Sequence, residues 1–161
     1  MCKNSPVLVV GLGNPLRGDD GVGWYCVDML MKMVRDPLVD FVKCRELLPE
    51  LSADLSKVGL ALFIDASVQS QREAVEETVV KRKEDFPPLE THRLDPAGLL
   101  SMSHALYGCS PEAVMLTVKG ESFDYKEEIS EAVRDAADKL VCRAKEIVEC
   151  WQQRVSEQGQ E

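Results

Sequence analysis

Apolar residues in the first half of the chain form two kinds of pattern, short continuous runs and helical repeats. Continuous runs occupy 7–10 and 60–64, closed by a glycine and an aspartate respectively. Such runs are typical of strands buried on both faces of a parallel sheet. Apolar residues recur at helical spacing over 21–33 and 50–58, and a weaker alternation over 39–47 indicates a further strand. The pattern therefore predicts strand, helix, strand, helix, strand.

The second half continues this alternation, with clear signals at the ends of one helix. Asp95 is a good N-cap residue, Pro96 fits the first helical position, and Gly108 is placed to end the helix. The predicted elements are an edge strand over 74–81, a helix over 96–106, a strand over 113–118 and a helix over 130–153. The last residues are expected to fray.

Alternating strands and helices predict an α/β fold: a single three-layer domain with a twisted, mostly parallel sheet of about five strands and helices on both faces. A chain of 161 residues fits one domain. We expect it to span 1–161, with a core over 6–153 and a frayed tail over 154–161. Ligands of such sheets bind beyond the carboxyl ends of the strands, which indicates where to look for a site.

Composition narrows the classes of function. A net charge of −9 and a pI near 4.8 argue against nucleic acid as a partner. No apolar stretch approaches the roughly 20 residues of a membrane span, and the start lacks the apolar core of a signal peptide. The six cysteines show no C-x-x-C spacing, so we expect reduced thiols in a cytoplasmic protein. Cys142 and Cys150 fall on one predicted helix and are expected to pack.

The glycine-rich segment 11–23 follows the first strand, where nucleotide-binding proteins carry G-x-G-x-x-G. The sixth position is Leu16, and the adjacent carboxylates of Asp19 and Asp20 would repel a pyrophosphate, so a nucleotide site is disfavoured. The acidic pair has a simpler reading as helix capping. Because one aspartate suffices for a cap, we expect one to cap while the other faces solvent or a ligand.

Three further residues are candidates for chemistry. Asp65 closes an apolar strand and either orders the following loop or faces the mouth of the sheet; a 2-1-3 strand order would bring it near Asp20. His92 lies in a predicted loop that reaches the same crevice, whereas His104 lies in a predicted helix and suits a surface or packing role. Asp20, Asp65 and His92 together form a donor set that suits a divalent transition metal with open positions.

The residues of segment 11–23, Gly-Leu-Gly-Asn-Pro-Leu-Arg-Gly-Asp-Asp-Gly-Val-Gly, resemble the signature of the [NiFe]-hydrogenase maturation proteases. In that signature G-x-G-N is followed by an acidic pair and a glycine. The resemblance continues in order through Leu48-Pro49-Glu50-Leu51, the strand ending in Asp65, His92-Arg93-Leu94-Asp95-Pro96 and Leu106-Tyr107-Gly108. It covers most of residues 6–135.

The resemblance implies a metal-dependent hydrolase, an endopeptidase of the aspartic type that activates a hydrogenase. Family members remove the C-terminal extension of the [NiFe]-hydrogenase large-subunit precursor once nickel has been inserted. The residues it assigns to metal contact and catalysis are Asp20, Asp65 and His92, and those expected to bind substrate are Asn14, Asp19, Gly21 and Glu46. The nickel is supplied by the substrate, although other divalent transition metals are expected to occupy the site in vitro.

Two departures and two rival functions accompany this expectation. Some members carry glutamate at the position of Asp20, and many carry glutamine where this chain has Glu46, which leaves substrate selectivity open. The chain has no G-x-S-x-G elbow and no H-E-x-x-H pair.

The two rival functions are a non-enzymatic chaperone that binds nickel or the precursor through the same three residues, and a small-molecule hydrolase on the same kind of sheet.

Overall fold

The computed structural model describes residues 6–69, 73–84 and 94–160. In chain order the elements are β1 (Val7–Leu12), a 3₁₀ turn (Gly18–Gly21), α1 (Val22–Met33), β2 (Val39–Cys44), α2 (Leu51–Leu55), β3 (Leu60–Ser67), β4 (Val75–Val80), α3 (Pro96–Tyr107), β5 (Glu112–Lys119) and α4 (Glu131–Gln158).

The strands form one sheet in the order β2-β1-β3-β5-β4. β1 pairs in parallel with β2 and β3, and β3 pairs in parallel with β5. β4 lies at the edge and is antiparallel to β5. The predicted α/β class is confirmed, including the mostly parallel five-stranded sheet, the edge position of the fourth strand and the placement of the first strand beside the third.

Each face of the sheet carries its own apolar core. Because successive residues of a strand point to opposite faces, β1 supplies Val7 and Val9 to one core and Leu8 and Val10 to the other. The first core is closed by apolar residues of α1 and α4, and the second by residues of α2 and α3. This arrangement is the three-layer architecture expected from the sequence.

The predicted ends of α3 are confirmed. The Asp95 side chain accepts a hydrogen bond from Gly98 N at 2.7 Å, Pro96 occupies the first turn, and Gly108 ends the helix with φ 79°. Glycine adopts this left-handed conformation without steric cost because it has no Cβ. The helix therefore begins and ends where these residues indicate.

Two elements run further than the sequence indicates. β3 continues past Asp65 to Ser67, because its pairing with β5 extends to Ser67 opposite Lys119. α4 continues to Gln158, so the expectation of a frayed tail from 154 is wrong over most of that range. Arg154, inside the expected tail, forms an ion pair with Glu112 at 2.8 Å, and the helix spans 28 residues.

The cysteines are distributed differently from the expectation. Cys26 is buried in the core against α4, but Cys142 and Cys150 are exposed, so the expectation that these two pack is wrong. The buried stripe of α4 is formed instead by residues such as Val141 and Ala144. Within residues 6–69, 73–84 and 94–160, no helix is both long and apolar enough to cross a membrane.

Candidate functional site

The turn after β1 is compact because its glycines stand where a side chain would collide with backbone. Gly13 has φ 127°, and a Cβ there would clash with the carbonyl oxygen of Asp20. A Cβ on Gly23 would clash with the carbonyl of Leu12 and lie 2.6 Å from that of Ile64. The start of α1 therefore lies directly against the carboxyl ends of β1 and β3.

Asp20 lies in this turn and is partly buried. Asn14 N donates to Asp20 Oδ2 at 2.9 Å, while the Asn14 side chain accepts from Leu16 N at 3.0 Å. The backbone N–H of Asp20 donates to the carbonyl of Arg17 at 3.1 Å. The loop thus folds back on itself and fixes one oxygen of the Asp20 carboxylate.

Asp65 lies at the same end of the sheet, within β3. Ile64 pairs with Gly11 of β1, and Asp65 itself pairs with Thr117 of β5. The period of two places Asp65 on the same face as Phe63, which is the face covered by α2 and α3. Asp65 Oδ1 also accepts from Ala66 N at 2.8 Å, a bond within β3 itself, and the role of Asp65 in a site stays a prediction.

The structure brings the two segments that carry Asp20 and Asp65 together. The 3₁₀ turn containing Asp20 contacts β3, and Gly13 N donates to the carbonyl of Cys44 on β2 at 3.1 Å. Burial raises the pKa of the Cys44 thiol, and the negative charge of Asp65 raises it further. The carboxyl ends of β2, β1 and β3 therefore meet in one region, where the turn that carries Asp20 lies against the strand that carries Asp65.

His92 lies outside the described residues, and its position in the site stays a prediction. Leu94, two residues later, packs against the core under α2 and α3, on the face of the sheet that carries Asp65. Within the described ranges, no group of three or more histidine, cysteine and acidic side chains is placed to hold a metal ion. His104 is exposed on α3, where a surface role was expected.

Asp19 is completely buried and does not face a ligand. Its Oδ2 accepts from the backbone N–H groups of Glu121 and Ser122, both at 2.8 Å. Ser130 donates through its N–H to Oδ1 at 2.7 Å and through its hydroxyl to Oδ2 at 3.1 Å. Burial by itself would raise the pKa of Asp19, but the hydrogen bonds from Ser130, Ser122 and Glu121 outweigh it, and the pKa is lowered.

This geometry corrects two expectations about Asp19. A carboxylate with no exposed surface and both oxygens bonded is not available to a substrate unless the loops separate, so the substrate-binding role does not fit this structure. The expected helix-capping role also differs, because neither the 3₁₀ turn nor α1 has a side-chain cap. Asp19 instead binds segment 121–130, a partner that no local sequence signal identifies.

The other predicted substrate-binding residues lie near the same end of the sheet. Asn14 is partly buried in the turn, and Gly21 is buried. A Cβ on Gly21 would lie 3.0 Å from the Cα of Pro15, so there is little room for a side chain. Glu46 is exposed two residues beyond the end of β2. Their contact with a substrate stays a prediction, since the structure shows only that they share the region of Asp20.

Comparisons with known proteins place this geometry in context. No protein-family model matches the chain. A Methanocaldococcus jannaschii protein, provisionally named a hydrogenase maturation protease, is 28% identical over 159 residues, covering 92% of this chain and 90% of its own.

Solved structures show the same fold. The [NiFe]-hydrogenase maturation protease HycI of Thermococcus kodakarensis superimposes with a TM-score of 0.70 at 25% identity, covering 90% of this chain and 93% of its own. The hydrogenase maturating endopeptidase HybD of Escherichia coli has a TM-score of 0.68 at 21% identity, covering 86% and 89%. The resemblance indicated by the sequence motifs is confirmed: the chain is similar to a hydrogenase maturation protease in sequence and to [NiFe]-hydrogenase maturation proteases in fold.

Proposed function

We propose that the protein is an endopeptidase that removes the C-terminal extension of a [NiFe]-hydrogenase large-subunit precursor after nickel insertion. The observation that carries the proposal is the meeting of the Asp20 turn with the β3 segment of Asp65 at the carboxyl end of the sheet. A ligand site is expected at this position in a sheet of this kind. Relatives that match nearly the whole chain are named as proteases of this class.

The nickel belongs to the substrate in this proposal. Asp20, Asp65 and His92 contact the metal that the loaded precursor carries, and two carboxylates with one imidazole suit a divalent transition metal. The contact anchors the precursor and holds the scissile bond in place. Positioning of this kind can supply a large part of an enzyme's rate acceleration. The metal also polarises a carbonyl or activates a water molecule.

Recognition and selectivity follow from the same contact. A precursor without nickel lacks the central interaction and is bound weakly, so it stays uncut. Asn14 supports the site by donating its N–H to Asp20, and its neighbours Gly21 and exposed Glu46 are the proposed contacts for the polypeptide around the metal. Glu46 is the proposed source of selectivity among precursors, because it is an exposed charged residue just beyond the end of β2.

The test is a processing assay followed by intact mass. Purified protein is mixed with nickel-loaded and nickel-free precursor from the same source, together with the variants Asp20→Asn, Asp65→Asn and His92→Gln. Loss of a C-terminal peptide from loaded precursor alone, abolished in all three variants, supports the proposal. Matched controls are Asp54→Asn and His104→Gln, which change an exposed aspartate on α2 and the second histidine.

Two results would contradict the proposal. Cleavage of loaded precursor by Asp20→Asn at the rate of the unchanged protein removes the assigned role of that carboxylate. Metal-dependent binding of a competent precursor without any loss of mass identifies the chaperone instead of the protease. Asp54→Asn and His104→Gln should match the unchanged protein in both binding and cleavage.

A further inference from the structure

Asp19 and Asp20 are adjacent, yet their side chains serve different segments. The Asp20 carboxylate accepts from Asn14 N, inside its own loop. The Asp19 carboxylate accepts four hydrogen bonds from segment 121–130, at 2.7 to 3.1 Å. The acidic pair thus divides into one residue facing the candidate site and one residue tied to a distant part of the chain.

The backbone reinforces this tie. Asp19 N donates to the carbonyl of Ser122 at 2.8 Å, and Gly18 N donates to that of Lys126, also at 2.8 Å. Gly18 has φ 56°, and a Cβ there would lie 2.6 Å from the Ser122 carbonyl oxygen. We call these contacts between residues 18–19 and segment 121–130 the loop latch. Because the 3₁₀ turn contains only four residues, the latch fixes the backbone on which Asp20 stands.

The latch is anchored to a rigid element. Ser130 is the N-cap residue of α4, but its hydroxyl donates to Asp19 and makes no cap to its own helix. α4 packs across α1 and β5 through a buried apolar stripe. The Asp20 turn is therefore held both by the loop that precedes α4 and, through Ser130, by the start of a helix packed into the core.

We propose that Asp19 is a positioning residue, which sets the carboxylate of Asp20 for contact with the precursor's metal by holding the Gly18–Gly21 turn against the start of α4. This inference rests on the proposed function for the role of Asp20. Displacement of a reacting group by about 1 Å reduces rate by around 100-fold, so a residue that fixes Asp20 has a large effect without touching the substrate.

The main variant is Asp19→Asn, which keeps the size of the side chain. An amide has one accepting oxygen, whereas Asp19 accepts from N–H or O–H groups at both oxygens. At least one donor of the latch then loses its acceptor and faces an amide nitrogen. Ser130→Ala is the milder variant, because it removes one bond of the four and leaves Ser130 N in place.

A matched control separates positioning from stability. Val148 is a buried residue of the α4 core, far along the helix from the latch, and Val148→Ala lowers stability without altering the latch. Variants are compared at a temperature where all are folded, judged by their thermal unfolding midpoints. Ser130→Ala replaces Asp19→Asn in the comparison if the latter does not fold.

Hydrogen exchange of the Asn14 amide provides the first readout, because this N–H donates to Asp20. In Asp19→Asn we expect exchange at least about 10-fold faster relative to the amides of β3, with no such change in Val148→Ala. The second readout is kcat/KM for nickel-loaded precursor, expected to fall about 10- to 100-fold in Asp19→Asn and under about 3-fold in the control.

The outcomes separate this inference from the proposed function. Unchanged Asn14 exchange in Asp19→Asn overturns the positioning role, whatever happens to cleavage. Faster exchange with cleavage equal to that of Val148→Ala also overturns it. If the unchanged protein leaves competent loaded precursor uncut, the proposed function fails, while faster Asn14 exchange in the variant still supports the control of Asp20 by Asp19.

Discussion

The Asp19 carboxylate accepts hydrogen bonds from both the N–H and the hydroxyl of Ser130, which lies 111 residues later in the chain. We expect Ser130→Ala to lower the free energy of unfolding by about 1 kcal/mol, since the hydroxyl bond is lost while the N–H bond stays. Urea unfolding checks this. A double-mutant cycle with Asp19→Asn should show coupling of at least about 0.5 kcal/mol.

Ser156→Ala is the control for this prediction. The Ser156 hydroxyl is exposed and bonds only to the carbonyl of Gln152 within its own helix, so its removal should leave stability nearly unchanged. Equal effects of the two serine substitutions would contradict a special contribution of the Asp19 bond.

Gly23→Ala tests the close approach of α1 to the sheet. A Cβ at this position meets backbone carbonyls of both β1 and β3, which do not move aside without disturbing the parallel pairing. We expect a loss of about 1–3 kcal/mol, typical of overpacking in a core. Thermal unfolding of the purified variant measures it.

Gly108→Asn is the comparison for the glycine prediction. A Cβ on Gly108 meets no atom within 4 Å, and asparagine tolerates the left-handed conformation that its φ of 79° requires. The loss of stability should be well below that of Gly23→Ala. A larger loss of stability in Gly108→Asn than in Gly23→Ala would show that backbone conformation, and not close approach of atoms, makes glycine necessary at these positions.

Asp95→Ala should destabilise the protein in a pH-dependent way. Burial by itself would raise the pKa of Asp95, but hydrogen bonds from Lys83 and Gly98 N lower it. A lowered pKa in the folded state means that the stabilisation is fully present above the unfolded value of about 3.9 and is lost as pH falls through the folded value. The variant should be about 0.5–2 kcal/mol less stable at pH 7.

The measurement is urea unfolding of both proteins at pH 7 and at successively lower pH. The difference between them should narrow only below about pH 4. A difference that is constant down to pH 3 would show that the loss comes from something other than the charged cap. Lys83→Met, which removes the ion-pair partner of Asp95 and keeps the cap, should have a smaller effect at pH 7.

Thiol alkylation at pH 8 should distinguish the cysteines. Burial raises the pKa of Cys26 to about 12, and the nearby charge of Asp138 adds to the effect, so this thiol is neither exposed nor ionised. Cys142 and Cys150 are exposed and should react well before Cys26. Peptide mapping after brief treatment with iodoacetamide checks the order, and early modification of Cys26 in the folded protein would contradict its burial.

Local signals predicted the parts of the fold that depend on neighbouring residues. The continuous apolar runs identified β1 and β3, and Asp95 with Gly108 marked both ends of α3. The exposure of Cys142 could also have been predicted from local spacing. Cys142 is one residue from Val141, which places it about 100° away from the buried stripe around the helix.

Other features depend on partners far along the chain. The continuation of β3 past Asp65 follows from its pairing with β5, which one strand's composition does not indicate. Asp19 was expected to cap a helix or contact substrate. Its actual partners lie at least 102 residues away, so the local sequence does not indicate them. A single sequence shows that two aspartates are adjacent, but only the folded chain shows that they serve different segments.

The loop latch also has a consequence for the order of events during synthesis. Ser130 is made 111 residues after Asp19. Until then the Asp19 carboxylate has no donors from segment 121–130, and the turn that carries Asp20 lacks its anchor. The turn that carries Asp20 therefore gains its anchor only after segment 121–130 has been made, long after the turn itself.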